Sequence, residues 1–251
     1  MNASLSWQSA YAGALQSVWA LLALPLAFLA WRLAAPTELA RARVPRAARL
    51  VAVATLVFAC ETILDPIATG PWLRSEALRG TWATSVVPFV FVYLGDWRVL
   101  LLVLGVARTD LPLSAILLRS AATTTIVPIG AGSLYALVRW RLRDVDGQWL
   151  WMGYEAGFLG LCVLGARIWL PRVATGVEAR SFVRTLFGFS AAYYALWLAA
   201  DVLIVVLGLD LGWAIRMLPN QLYYAVWAPF VYFRFFSAAL PVPATTPNAE
   251  R

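Results

Sequence analysis

The chain has 251 residues, is 62% hydrophobic with a mean hydropathy of +0.74, and only 13% of it is charged. So little charge cannot solvate a water-soluble surface around so much apolar material, so the sequence predicts an all-α polytopic membrane helix bundle. The net charge of +7 is carried entirely by 20 arginines against 13 acids, with no lysine and no histidine. Those arginines fall mainly in short loops, where they orient spans in the bilayer rather than bind nucleic acid.

Apolar stretches at 11–34, 48–68, 82–106, 111–138, 149–170, 182–208 and 220–240 are each long enough to cross a hydrocarbon core. The segment MNASLSWQSAYAGAL lacks the basic region of a cleavable signal, and Arg32 rather than a small-residue cleavage site follows the first stretch, which therefore reads as a span. Arg32, Arg41, Arg43, Arg46 and Arg49 make the next segment the main candidate for a cytoplasmic loop. That orientation puts the N-terminus outside and the C-terminus inside, in the inner membrane of a cell. The cluster Arg139, Arg141 and Arg143 would then lie outside, partly offset by Asp144 and Asp146.

In the second stretch Glu61 and Asp65 share a helical face one turn apart, and Pro66 predicts that the helix ends beside Asp65. Asp96 and Arg98, in the third stretch, and Arg119, in the fourth, are candidates for a neutralising ion pair, Asp96 with either arginine. Glu155 falls near the start of the fifth, at the interface. Asp201, in the sixth, is flanked by uninterrupted apolar residues, and Asp210 reads as a turn residue at the membrane edge. Asn220 and Gln221 open the seventh, where amides cap a helix or bond across helices. Cys60 and Cys162 read as small buried hydrophobes, and residues 241–251 as a disordered tail.

The segments starting at Trp72 and Trp213 align without a gap at an offset of 141, which pairs Pro88 with Pro229 and Phe89 with Phe230. Glu61 and Asp201 precede the two tryptophans at nearly equal distances. One transmembrane domain over 1–240 then divides into repeats 11–106 and 149–240, joined by a linking helix at 111–138. Buried carboxyls on pseudo-equivalent helices point to a shared central site, so Glu61 and Asp201 lead the binding candidates, followed by Asp65, Glu155, Asn220 and Gln221. Tyr193, Tyr194, Tyr223 and Tyr224 could line such a pocket.

The missing residue types remove whole chemistries. Without lysine there is no retinal Schiff base. Without histidine there is no Ser-His triad, histidine-held zinc or haem, or histidine-box di-iron centre. No GxxxxGKS loop and no Asp-rich diphosphate motif is present, and neither cofactor nor metal is expected. The partners expected are the bilayer and a small apolar or cationic ligand, with a protein partner left open.

The three-plus-one-plus-three layout resembles the sugar-exporting and PQ-loop transporters, whose paired Pro-Gln motif is missing here; the nearest string is Pro219-Asn220-Gln221. In size, and in an acid on the second helix followed by a tryptophan-containing loop, the chain is also similar to small duplicated membrane cyclases of isoprenoids. Their Pro-x-Glu-Glu signature is absent, and neither likeness assigns a role to a residue. Three functions stay open: a small-molecule or ion transporter, an intramembrane acid-catalysed isoprenoid or lipid enzyme, and a membrane subunit of a larger complex.

Overall fold

The computed structural model describes residues 6–35, 45–73, 75–78, 80–142, 144–173 and 176–239. The expected tail at 241–251, and Arg41, Arg43 and Arg143 of the loop clusters, lie outside the described residues. Among those described there is no strand. A short helix, α1 (Trp7–Ala12), precedes α2 (Leu15–Ala34), α3 (Arg46–Trp72), α4 (Ala83–Ala107), α5 (Leu113–Arg141), α6 (Gln148–Val173), α7 (Val177–Val206) and α8 (211–239). The helices α2 to α7 are long and apolar enough to cross a membrane. α8 is comparably long but rich in Tyr, Trp and amide residues.

Short connections make consecutive helices antiparallel neighbours, and each of α2 to α7 packs on the next in sequence. α8 closes back against α2 and α3, while α4 meets α7 at the centre. The core is therefore built from α3, α4, α7 and α8, on faces that include Val51, Phe58, Leu102, Phe187, Tyr193, Trp227 and Val231. α5 and α6 flank this core and turn most of their apolar side chains outward, among them Ile126, Ile129 and Leu134. Outward-facing apolar residues are what a lipid solvent requires of a bundle.

Six of the seven expected spans agree with α2 to α7 to within about five residues. The seventh, at 220–240, falls on α8, which is not among the helices apolar enough to cross a membrane, and two boundaries differ. α8 begins at residue 211 rather than near 220, because Pro219, Asn220 and Gln221 sit inside the helix instead of starting it. Pro66 likewise fails to end α3, which runs through it and relaxes into a wider π-helical turn at Ala68–Trp72. Similar π turns occur at Leu15–Trp19, Gly165–Trp169, Val202–Val206 and Gln221–Val226. Cys60 is exposed rather than buried, since Val53, Val57, Cys60 and Leu64 form the outward stripe of α3; Cys162 is buried. The gapless pairing at offset 141 sets a turn, with Gly80 at φ +76°, against the first turns of α8.

The bundle has two unlike ends. One, the Asp210 end, carries α1 and the connections after α3, α5 and α7. Asp210 there accepts from the backbone N–H of Trp7 at 2.6 Å and of Gln8 at 3.1 Å, so its carboxylate satisfies orphan donors at the start of α1. The opposite, Arg108 end carries the start of α3, the α4–α5 turn and the start of α7.

Candidate functional site

Among the described residues, five carboxyls are buried inside the bundle, Glu61, Asp65, Asp96, Glu155 and Asp201, and they follow two different patterns of neutralisation. Glu61 lies 3.4 Å from Arg98, whose side chain has no exposure. Arg98 also donates to the Tyr223 carbonyl at 2.6 Å, and its guanidinium lies between the rings of Tyr223 and Trp227, 4.3 Å from each centroid. Asp201 contacts Arg216 and accepts from the Gln148 amide at 2.6 Å. Each of these acids has a guanidinium beside it, and neither lines the acidic cavity of the Asp210 half.

Asp96 and Arg98 do not pair directly with each other. Residues two apart on a helix point to nearly opposite sides. Asp96 therefore faces α6 and α7, where it accepts from the hydroxyl of Tyr154 at 2.6 Å and from that of Tyr194, while Arg98 faces α3 and α8. Arg119 does not reach Asp96 either. The buried stripe of α5 is Ile116, Ser120, Thr124 and Val127, and Arg119 lies beside that stripe with its side chain exposed. Ser120 takes the inward position instead and accepts from the Trp97 indole at 2.8 Å.

A cavity of about 230 Å³ lies in the Asp210 half of the bundle. Asp65 and Thr69 of α3, Asp96 of α4, Glu155 of α6 and Arg216 of α8 supply its charged and polar wall. Trp151, Tyr154, Tyr194, Trp197, Tyr223 and Tyr224 supply rings. Thr69 donates to Asp65 Oδ1 at 3.1 Å, and Arg216 stands 3.7 Å from Glu155. Among the described residues, Asp65 Oδ2 and Glu155 Oε2 in this wall are buried and accept no hydrogen bond, as is also true of Glu61 Oε1 in the Arg98 seam. Buried carboxylate oxygens without donors are costly unless a proton or cation meets them.

Glycine has one specific use here. A Cβ at Gly95 would fall 1.7 Å from the Tyr223 hydroxyl, so only glycine lets that ring lie against α4, where it forms cavity wall on one side and covers Arg98 on the other.

Asn220 bridges three helices, accepting from the Trp197 indole at 2.8 Å and donating to the Tyr11 hydroxyl at 3.1 Å, and it lines the cavity mouth; Gln221 does not line the cavity. The structure thus brings together Asp65, Glu155 and Asn220 of the binding candidates and leaves out Glu61, Asp201 and Gln221. No family model, no curated protein and no solved structure matches the chain. Any function therefore has to be argued from the cavity itself. Sequence reasoning missed Arg216, Tyr154 and Trp151; a lone arginine seven residues before the three aromatics of YYAVW was the available signal for the first.

Proposed function

We propose that this integral membrane protein is a transporter that binds a small organic cation in the Asp65–Asp96–Glu155 cavity and exchanges it for protons on those acids. The supporting observation is the charge balance of the wall: three carboxyls face one guanidinium, and that guanidinium is shared with Asp201. An acid excess inside a membrane favours either bound protons or a bound cation, which is the alternation a proton-coupled carrier uses. Six aromatic rings around the acids suit an alkylammonium, whose charge is attracted to ring faces. The volume lies below the roughly 300–1,000 Å³ of sites for drug-sized ligands, so the cation is small.

In this proposal the halves 11–106 and 149–240 are the units that move. The contact of α3 with α8 and that of α7 with α4 exchange when α3 is matched to α7 and α4 to α8, as alternating repeats require. In this proposal the Arg108 end, with Arg32, Arg46 and Arg49, faces the cytoplasm, and the cavity opens outside.

The test is proton-driven uptake of tetramethylammonium and a panel of simple amines into proteoliposomes. Quenching of tryptophan fluorescence reports binding, because Trp151 and Trp197 line the site. Asp96→Asn and Glu155→Gln are expected to abolish flux while the protein still melts cooperatively. Absence of both quenching and flux across the panel sinks the proposal.

One observation favours a second reading. Both oxygens of Asp96, midway along α4, accept from tyrosine hydroxyls, which fix the carboxyl in place among aromatic faces. Such a group among aromatic faces is suited to protonating an isoprenoid and stabilising the carbocation. A lipid profile that changes with the gene and with Asp96→Asn, in the absence of cation flux, selects this enzyme.

A further inference from the structure

Outside the acidic cavity, α4, α5, α6 and α7 enclose a second space of about 1140 Å³, almost entirely apolar. Along α5 it runs from Arg119 to Leu134, which at 1.5 Å per residue is about 22 Å of a hydrocarbon core roughly 30 Å thick. Most of its wall is aliphatic or glycine. Its charged groups, Arg108 and Arg119, are both at one end, beside the α4–α5 turn.

The only acid in that turn is Asp110, and it is already engaged. Arg108 donates to both its oxygens, at 2.8 and 2.7 Å, and this hydrogen bonding holds the carboxyl down to about 2. Arg46 adds a third guanidinium, donating to the Thr109 carbonyl at 3.2 Å and to that of Leu111. The mouth is thus a cluster of three arginines around one acid at the edge of an apolar slot.

We infer that the slot holds an acyl chain of an anionic phospholipid, its phosphate at Arg119 and Arg108. Charge complementarity selects the headgroup: guanidinium groups pair with phosphate, and basic pockets between helices on the basic side of a membrane protein take anionic lipid. The slot's aliphatic wall continues from these arginines toward the far end of α5, as an acyl chain below a phosphate requires. Two glycines keep it open: a Cβ at Gly130 or at Gly160 meets no heavy atom within 4 Å, so these positions border space rather than packing.

The experiment is native mass spectrometry of the full-length chain, exchanged into phosphatidylglycerol or into phosphatidylcholine and then delipidated stepwise. The wild type should retain phosphatidylglycerol roughly tenfold or more over phosphatidylcholine. The double variant Arg108→Gln with Arg119→Gln should retain the two equally. Gly130→Leu with Gly160→Leu should reduce both, because the new side chains fill the slot without displacing protein. Equal retention of both lipids by the wild type overturns the inference. So does unchanged retention in the glycine variant, or a dimer whose dissociation follows the glycine substitutions. The lipid comparison on the wild type stands even if a variant fails to fold, and it is independent of cation flux.

Discussion

One turn of α3 separates Glu61 from Asp65, yet the two belong to different kinds of interior. Glu61 is sealed into a seam with Arg98, which the Tyr223 carbonyl and two aromatic rings hold in place. Asp65 looks into the cavity, with Thr69 donating to one of its oxygens. The comparison teaches that a buried acid inside a bundle does not by itself mark a binding site. What separates a structural acid from a candidate binding acid is whether it faces the cavity, and only the arrangement of neighbouring helices decides that.

The seam should be the more fragile region. Arg98→Met leaves Glu61 without its cation, and breaking a buried pair in this way costs about 3–5 kcal/mol. Thermal melting in detergent is expected to fall sharply, and adding Glu61→Gln to that variant should recover part of the loss. A single variant that melts like the wild type would abolish the distinction between the two regions. Gly95→Ala attacks the ring that divides them. The added methyl group collides with Tyr223, and forced repacking of this kind costs about 1–3 kcal/mol, so melting should drop less than in Arg98→Met while cation quenching weakens. Asp65→Asn should be mildest for stability, about 1 kcal/mol or less, because the amide oxygen can still accept from the Thr69 hydroxyl. Its effect belongs in flux, and a stability loss matching that of Arg98→Met would place Asp65 in the seam after all.

Much of the bundle was legible in the sequence because lipid imposes a length on every apolar stretch. The spans near 48–68 and 82–106 correspond closely to α3 and α4. Residues that usually end helices in water misled the reading in two places. Pro66 and the string Pro219-Asn220-Gln221 lie within helices, where neighbouring helices and widened turns accommodate proline.

The site was legible only in its parts list. Asp96 and Arg98 were recognisable as intramembrane charges, but their partners come from α6, α7, α3 and α8, and no local spacing encodes those contacts. Arg216 escaped notice because it lies four residues before the expected stretch 220–240, yet it is the cation that Asp201 and Glu155 share.

The π turn at Gln221–Val226 constrains the number of residues in α8 as well as their kind. Arg98 reaches the main-chain oxygen of Tyr223 inside that turn, at a point where ordinary helical pitch would commit the oxygen to its own ladder. Excising one residue there would restore that pitch and swing Trp227, Val231 and Tyr232 through about 100° about the helix axis, away from the partners they now touch. Even a conservative deletion in this stretch should therefore be tolerated far less well than a point change, and natural variation in the length of the protein is expected to fall elsewhere.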